Sequence, residues 1–490
     1  MFVKRFFEPS IAQSSYLIGC ARTGESIVID ANRDIEQYIE AAAREGLRIT
    51  HVTETHIHAD YVSGSRELAQ TAGARLLLSD EGGVDWKYQF AGDGGGLSKV
   101  HCQLLHDGDR IAVGNVCLDV LHTPGHTPEH LTFLITDGAA ADKPIAAVTG
   151  DFVFVGDVGR PDLLERAAQY AGTMDASART LWRSLQKFAT LDDWLQLWPG
   201  HGAGSACGKG ISAIPSSTLG YERRFNWAFS VKDENEFVAR VLAGQPEPPK
   251  YFASMKRINK EGPPILGGFH LPPRQPDEAL DARLASGALV IDTRPAAAYA
   301  SGHVTGTINI PLNSSFVTWM GWLVPATADV YLILGDESAA ALREVMRLLS
   351  LIGIDSVTGY FGELVIERVK VKGGTLKAIV QVSPTELASD IQYPDTIVLD
   401  VRGAAEWEAG HLHGALHIPL GYLLDRVDEI PRTKTVVTQC QSGARSSIAA
   451  SLLEQHGFKR VLNLRGGIAA WRAAGLPIVG DVDGAQVFQS

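Results

Sequence analysis

The sequence has few cysteines, no long apolar run and no excess of positive charge. Five cysteines are spread over 490 residues, which disfavours a disulfide framework and predicts free thiols. No stretch reaches the roughly 18 consecutive apolar residues of a membrane span, and the first residues lack the apolar segment of a secretory signal. The formal net charge of -12 argues against nucleic acid or an anionic membrane as a partner, because both need basic patches. We therefore expect a soluble cytoplasmic protein.

The length and the residue pattern predict several domains. A chain of 490 residues is longer than one hydrophobic core usually serves. Over 1–244, short β-rich runs alternate with helical segments, as in an α/β domain with many loops. Proline and glycine then concentrate over 245–273, which predicts a linker draped over a domain surface.

An internal repeat follows the predicted linker. The segment that begins at Val290 aligns without gaps on the segment that begins at Val398, and Asp292 matches Asp400. Two copies of one small α/β domain are therefore predicted, over 274–375 and 376–490. Only the second copy contains a cysteine, Cys440. We expect the cysteine-free copy to pack the two active domains together or to form a dimer surface.

Several metal-ligand residue types occur together in the first domain. His56, His58 and Asp60 lie in one loop, between a short β-rich run and a helical segment. Later ligand-type residues stand in glycine-containing turns or after an apolar strand, namely His126, Asp151 and His201. Side chains in such positions can point into a cleft, and imidazole with carboxylate is a donor set for first-row metals. The sequence therefore predicts a metal site, although two of these histidines alone could be solvated loop residues.

The ordered set of motifs resembles the metallo-β-lactamase superfamily, whose usual first motif is HxHxDH. Within that superfamily, Gly150–Asp162 is similar to the persulfide dioxygenases. The resemblance implies an αββα sandwich and a single iron held by His56, His126 and Asp151. It also implies oxidation of a low-molecular-weight persulfide by O₂ to sulfite and a thiol.

The sequence departs from the superfamily pattern at Tyr61, where a histidine usually helps to hold a second metal. A binuclear zinc hydrolase needs both metals, whereas O₂ activation needs one redox iron with open positions. The change therefore favours Fe(II), one per chain, over zinc. His58, Asp60 and His201 are then expected to orient ligands or substrate, or to be vestiges of the hydrolase pattern. Two alternatives stay open: a zinc thioester hydrolase of the glyoxalase II kind, and a persulfide-binding sulfur carrier or sensor.

Three more residues of the first domain are candidates for roles near the metal. We expect Arg160 and Asp162 to form an ion pair that braces the loop beyond the metal, without need of substrate contact. Cys207 lies in a glycine-rich loop beside Lys209, and a nearby cation with free backbone N–H groups would lower the pKa of its thiol. Persulfide chemistry at Cys207 is one interpretation, and an ordinary packed cysteine is the other.

The second copy of the repeat carries a cysteine loop. Cys440 follows an apolar strand and opens a tight loop that leads into a helix. Backbone N–H groups and a helix N-terminus directed at one sulfur stabilise a thiolate and then a persulfide, and Arg445 adds positive charge. The other loop residues are Gln441, Ser442, Gly443, Ala444 and Ser446.

This last domain resembles the rhodanese sulfurtransferases in its cysteine loop, in Asp400–Arg402 and in Gly410–His411. The resemblance implies that Cys440 moves sulfane sulfur between thiosulfate or sulfite and thiols. The first copy resembles a rhodanese without its nucleophile. As a whole, the chain is similar to bacterial fusions of a persulfide dioxygenase with a sulfurtransferase. The implied α/β architecture is a metallo-β-lactamase αββα sandwich followed by two α/β rhodanese-like domains. The implied partners are a glutathione- or coenzyme A-type persulfide, O₂ and sulfite or thiosulfate, in a homo-oligomer.

Overall fold

The computed structural model describes residues 1–91, 101–166, 172–371, 374–390 and 395–480. The chain divides into two compact units, the first being Met1–Phe269 with Arg347–Asp355 and the second His270–Met346 with Ser356–Ser490. The end of the predicted last domain, 481–490, lies outside the described residues. Among the described residues, no helix combines the length and apolar character needed to cross a membrane.

The first unit contains two six-stranded sheets. The strands of the first sheet are neighbours in chain order: β1 (Phe2–Glu8), β2 (Gln13–Cys20), β3 (Glu25–Ile29), β4 (Arg48–Thr53), β5 (Arg75–Ser79) and β6 (Cys102–Leu105). Strands β1 to β3 pair antiparallel, and β3 to β6 pair parallel. Parallel pairing directs the ends of β3, β4 and β5 to one edge, where their following loops begin.

The second sheet also follows chain order: β7 (Arg110–Val113), β8 (Val116–His122), β9 (Leu131–Asp137), β10 (Ala146–Gly150), β11 (Gln196–Pro199) and β12 (Ser217–Thr218). Its strands pair antiparallel except for the parallel pair β10 and β11. Ile18 and Ile27 of the first sheet share one buried cluster with Leu118 and Phe133 of the second. The two sheets therefore pack face to face around a common core.

Helices cover the outer faces of the two sheets. Tyr38 and Leu68 place α1 and α2 in a buried cluster with the first sheet, and Leu181 and Phe237 place α4 and α7 in a cluster with the second. The helices of the unit are α1 (Glu36–Arg44), α2 (Ser65–Ala72), α3 (Leu163–Arg166), α4 (Met174–Phe188), α5 (Leu219–Phe225), α6 (Trp227–Ser230), α7 (Glu234–Leu242) and α8 (Tyr251–Glu261). This helix–sheet–sheet–helix order is the predicted αββα sandwich.

The segment predicted as a linker, 245–273, contains α8 and needs correction. Phe252, Met255 and Asn259 of this helix are buried in the first unit, which continues to Phe269. Apolar residues recur at a helical spacing in Phe252, Met255 and Ile258. The prolines and glycines on both sides of this short amphipathic helix are typical of a linker, and the sequence pattern therefore predicts one.

The second unit contains two parallel sheets. The first has the spatial order β14-β13-β15-β16, with β13 (Leu289–Asp292), β14 (Ile308–Asn309), β15 (Val330–Leu334) and β16 (Gly359–Gly362). Its helices are α9 (Leu280–Ala285), α10 (Ala296–Ser301), α11 (Phe316–Leu323), α12 (Ala339–Leu351) and α13 (Leu364–Val371). The end of α12, from Arg347, belongs to the first unit.

The other sheet of the second unit has the order β17-β21-β20-β18-β19, again parallel throughout. Its strands are β17 (Val380–Val382), β18 (Thr396–Asp400), β19 (Leu416–His417), β20 (Thr435–Gln439) and β21 (Val461–Leu464). Its helices are α14 (Pro384–Asp390), α15 (Ala404–Glu408), α16 (Ala444–Gln455) and α17 (Gly467–Ala473).

The two copies of the repeat share a buried ion pair at the end of their first long strand. Arg294 Nη2 donates to Asp292 Oδ2 (2.7 Å), and Arg402 Nη2 donates to Asp400 Oδ2 (2.6 Å). Each guanidinium also donates to a glycine carbonyl eight residues further on. The sequence repeat therefore corresponds to a repeat in local structure.

Candidate metal centre and cysteine loop

Three predicted ligands from three separate loops meet in the first unit. His56 lies after β4, His126 lies between β8 and β9, and Asp151 directly follows β10. The Nε2 atoms of His56 and His126 are 3.9 and 3.5 Å from Asp151 Oδ2. One ligand atom from each of the three residues lies within 4.8 Å of the other two, and all three side chains are buried.

The Asp151 carboxylate fits a bound cation. Within the part of the chain that the structure describes, its buried Oδ2 has no hydrogen-bond partner, and its Oδ1 has a longer contact of 3.4 Å with His201 Nε2. A buried carboxylate left in that state is unfavourable, and a metal ion would compensate its charge. Burial also lowers the pKa of His56 and of His126, which keeps both imidazoles neutral and able to coordinate. Two imidazoles and one carboxylate indicate a metal site and suit either iron or zinc.

Both histidines are oriented by groups behind them. His126 Nδ1 lies 3.0 Å from the carbonyl oxygen of Arg160, which can only accept, so Nδ1 carries the proton. Thr55 Oγ1 donates to Asp30 Oδ2 (3.0 Å) and therefore accepts from His56 Nδ1 (2.9 Å). These contacts assign the tautomer that leaves both Nε2 atoms free to coordinate a metal.

Arg160 and Asp162 form the ion pair expected beyond the metal. The Arg160 guanidinium donates to both carboxylate oxygens of Asp162, at 2.8 and 2.6 Å, and both side chains are buried. Its Nη1 also donates to the carbonyl oxygen of Ala206 (3.0 Å). The pair thereby fixes the loop whose Arg160 carbonyl orients His126.

His58 and Tyr61 face Asp30 and stay outside the ligand group. His58 Nε2 is 3.1 Å from Asp30 Oδ1, and the Tyr61 hydroxyl donates to the Asp30 carbonyl oxygen (3.3 Å). Burial alone would lower the pKa of His58, but the charge of Asp30 and its hydrogen bond raise it to about 9. Burial raises the pKa of Tyr61 well above its ordinary value, so its hydroxyl stays neutral. Both residues therefore support the loop around His56.

Asp60, His201 and Cys207 form a second group of buried ligand-type atoms. His201 Nε2 lies 3.2 Å from Asp60 Oδ2 and 3.4 Å from Asp151 Oδ1. Burial alone would lower the pKa of His201, but the charges of Asp151 and Asp60 and the hydrogen bond to Asp60 raise it well above its ordinary value. His201 therefore links this group to the Asp151 carboxylate.

The environment of Cys207 favours the interpretation of an ordinary packed cysteine over that of an activated thiol. Burial raises the pKa of its thiol to about 12. Lys209 extends away and donates from Nζ to the carbonyl oxygens of Arg240 and Ala243, at 2.6 Å each. Proximity in sequence does not bring the cation to the sulfur, and burial suppresses the thiolate. Each of the five cysteines is a free thiol, as predicted.

Two buried acids at the centre are absent from the residues predicted from the sequence. Asp30 directly follows β3 and accepts the backbone N–H of Thr55 (2.7 Å) in addition to the contacts above. Glu129 lies close to His126 in the chain and accepts the N–H of Ile57 (2.9 Å), next to His56. A polar residue at the end of an apolar strand was a usable signal for Asp30, whereas the sequence contains no signal that pairs Glu129 with Ile57.

Cys440 directly follows β20 and is 1% exposed. Its Sγ accepts the backbone N–H of Gly443 (3.1 Å) and the hydroxyl of Ser446 (3.5 Å). Gly467 has a φ of +58°, and a Cβ there would clash with the Cys440 carbonyl oxygen, so glycine is required. One backbone N–H and one hydroxyl of the loop therefore donate to the sulfur.

Arg445 forms an ion pair with Glu406, which is not among the site residues predicted from the sequence. Its two terminal nitrogens donate to the Glu406 carboxylate, at 2.6 and 2.7 Å. Gln441, Ser442 and Ala444 form the exposed side of the loop. Ser442 and Gly443 also line a cavity of about 480 Å³, together with residues of α10 and β21. The sulfur loop thus borders a space large enough for a small thiol.

Two family models match the chain. The metallo-beta-lactamase superfamily model matches residues 11–201, and the rhodanese-like domain model matches residues 383–474. The first range contains the three converging ligands, and the second contains Cys440. The resemblance of the cysteine-free copy to a rhodanese stays a prediction.

Individual proteins resemble the two parts of the chain. The crystal structure of a metallo-beta-lactamase from Staphylococcus aureus subsp. aureus COL is 40% identical, with a TM-score of 0.65, and covers 74% of this chain and 99% of its own. The mitochondrial persulfide dioxygenase ETHE1 of Bos taurus is 28% identical over 49% of this chain and 79% of its own length. A sulfurtransferase of Allochromatium vinosum is 48% identical over 17% of this chain and 79% of its own length.

Proposed function

The chain belongs to the metallo-beta-lactamase superfamily and carries a C-terminal rhodanese-like domain, and from this premise we propose that it is a persulfide dioxygenase fused to a sulfurtransferase. The first site oxidises the outer sulfur of a low-molecular-weight persulfide. One O₂ and one water are consumed, and sulfite, the free thiol and two protons are released. The second site transfers sulfane sulfur through Cys440.

One observation carries the choice of a single-metal dioxygenase over a two-metal hydrolase. At the position where the superfamily usually has a second-metal histidine, the Tyr61 hydroxyl instead donates to the Asp30 carbonyl oxygen. His56, His126 and Asp151 form one compact ligand group, and the neighbouring group of Asp60, His201 and Cys207 gains no ligand from position 61. The proposed metal is Fe(II), one per chain, because iron supplies the redox chemistry with O₂ that zinc lacks.

The residues of the first site act by orientation, burial and charge. Thr55 and the Arg160 carbonyl hold His56 and His126 with Nε2 free. Burial around Asp151 limits water, which would strengthen the attraction of its carboxylate for a metal cation. His201 lies between Asp60 and Asp151 and orients the Asp151 carboxylate. The Arg160–Asp162 pair holds the surrounding loop and makes no necessary substrate contact.

Cys440 performs the transfer as a thiolate. Its sulfur attacks the outer sulfur of thiosulfate, the S–S bond of thiosulfate breaks, and sulfite leaves with the bonding electron pair. An acceptor thiolate then takes the outer sulfur of the Cys440 persulfide. The Gly443 N–H and the Ser446 hydroxyl stabilise the negative sulfur. The reaction can run in either direction.

Oxygen-electrode turnover with glutathione persulfide and coenzyme A persulfide tests the proposal. Wild type is expected to consume O₂ and to contain iron, whereas His126→Ala should lose at least about 100-fold in rate because a metal ligand is missing. Cys440→Ser should keep O₂ uptake and lose transfer from thiosulfate. Comparison of the O₂-consumption rates with the two persulfides identifies the thiol carrier. Sedimentation of the same preparation tests the expected homo-oligomer.

Three results would count against the proposal. Stoichiometric zinc without O₂ uptake would indicate a thioester hydrolase of the glyoxalase II kind joined to a sulfurtransferase. O₂ uptake that is unchanged in His126→Ala would remove the metal assignment. Persulfide binding without turnover would indicate a sulfur carrier or sensor.

A further inference from the structure

Asn259 of α8 holds the backbone of the loop that contains His56. Its Nδ2 donates to the carbonyl oxygens of His58 (2.8 Å) and Tyr61 (2.7 Å), and its Oδ1 accepts the N–H of Ser63 (2.8 Å). The side chain is 1% exposed. All three contacts are to backbone groups, so they restrain the path of the loop whatever its side chains do.

The contact pattern selects a carboxamide. Two carbonyl oxygens require two donors, and one N–H requires an acceptor, which also fixes which way the amide points. An ionised aspartate has no donor, and alanine has neither group. Glutamine is one methylene longer and would displace either α8 or the loop in this buried position. Asparagine is therefore the side chain whose length and chemistry fit.

The restrained backbone carries the side chains around the metal ligands. His58 and Tyr61 contact Asp30, and Asp60 contacts His201, which in turn contacts Asp151. These side chains keep their positions only if the backbone between them keeps its path.

Other contacts restrain the loop just before and between the Asn259 contacts. The N–H of Ile57 donates to Glu129 Oε1 (2.9 Å), next to His56. The N–H of Val62 donates to the carbonyl oxygen of Leu351 (2.7 Å), which belongs to the same unit. Asn259 is the hydrogen-bond donor to two carbonyl oxygens of the loop, those of His58 and Tyr61. Without its amide they would stay buried and unpaired, and the loop would relax to expose them.

We propose that Asn259 is a positioning residue for the metal centre, acting through the backbone from His58 to Ser63 on the orientation of His56. The inference rests on the proposed metal site, but it depends neither on the identity of the metal nor on the reaction. Residues that support ligands from behind typically contribute 10–100-fold to metal affinity. An effect of about this size is therefore expected when the Asn259 amide is removed.

Asn309 of the second unit is a matched control. Its Nδ2 also donates to two backbone carbonyl oxygens, those of Asp292 and Arg294, at 2.9 Å each, and its side chain is fully buried. Its removal breaks the same kind of contact in the same chain, in the unit that lacks the metal ligands. A general loss of stability would affect both variants, whereas a positioning role would affect only Asn259.

The test is a cobalt(II) titration of the full chain after removal of bound metal with a chelator. Visible absorption of cobalt(II) reports both its binding and its coordination geometry. Asn259→Ala and Asn259→Asp are expected to raise the dissociation constant for cobalt(II) at least about 10-fold and to change the shape of the absorption band. Asn309→Ala should match wild type in both measurements. Urea unfolding of each metal-free variant reports whether it is folded at the start.

Wild-type affinity and band shape in a folded Asn259→Ala would overturn the proposal, as would an equal loss in Asn309→Ala. Failure of both Asn259 variants to fold would also count against it, because Asn259 would then serve stability and not orientation. The proposed reaction fails separately, if wild-type protein binds metal and consumes no O₂. If wild type turned over persulfide and the Asn259 variants bound metal normally, the proposed function would stand and only the positioning role of Asn259 would fail.

Discussion

Asp30 shows how a single residue is held in an unfavourable conformation at the candidate metal centre. Its φ of +58° is uncommon for a residue other than glycine. The side chain accepts the N–H and the hydroxyl of Thr55, and its carbonyl accepts the side-chain amide of Gln13 (2.8 Å). Such strain persists only where many contacts determine the conformation. The sequence shows the aspartate, but it does not show which residues contact it and stabilise its backbone conformation.

Cys207 has a thiol whose reactivity should depend on folding. With the pKa raised to about 12 by burial, the thiolate fraction near pH 8 is roughly one in ten thousand, because each unit of pKa changes it tenfold. Iodoacetamide should therefore leave Cys207 of the folded protein unmodified near pH 8 and modify it readily in urea. In folded protein the rate should rise with pH. Mass spectrometry of tryptic peptides measures both states.

The same peptides from urea-treated protein provide the control, since they show that the reagent reaches Cys207 when the chain is open. Rapid modification of folded protein near pH 8 would mean that the thiol is ionised and that persulfide chemistry there has to be considered again.

At the scale of elements, α8 is part of the first unit although its surroundings in the sequence predict a linker. Phe252 is 2% exposed and belongs to a buried cluster with Phe154, Leu163 and Cys207. Phe252→Ala should lower the free energy of unfolding of this unit by about 3–5 kcal/mol, because it removes a buried ring and leaves a cavity. Urea denaturation of the full chain, followed by tryptophan fluorescence, is the measurement.

Phe225 of α5 is a matched control for Phe252. It lies in the same unit and is 68% exposed. Phe225→Ala should change the stability by no more than about 0.5 kcal/mol, because little contact is lost at the surface. If both variants lost the same amount, or if Phe252→Ala lost nothing, α8 would not be a structural part of the unit.

At the scale of the whole molecule, the two compact units carry different chemistry, with the metal ligands in the first and Cys440 in the second. A metal that binds only the folded state stabilises it, by about 2.7 kcal/mol when the free metal is at 100 times its dissociation constant. Calorimetry of the full metal-free chain should therefore show a thermal transition that moves to higher temperature when metal is added.

Two variants assign that transition. Cys440→Ser should show the same shift as wild type, since its sulfur lies in the other unit. His126→Ala should show little or no shift, because one of three ligands is missing. A shift of equal size in His126→Ala would mean that the metal binds elsewhere on the chain.

The sequence by itself determined the two families, the αββα and parallel α/β folds, and the short-range parts of both sites. The HxHxD spacing, the Asp400–Arg402 pair and the loop from Cys440 to Ser446 are local, so their geometry follows from a few neighbouring residues. The family resemblance also predicted that His56, His126 and Asp151 share a metal. Only the tertiary structure decided the contacts between other distant segments, namely the ion pair of Glu406 with Arg445 and the contacts of Asn259. It also decided that ionisation of the Cys207 thiol is suppressed. The pKa of a group depends on its burial and on the neighbours that packing brings to it, and not on sequence adjacency.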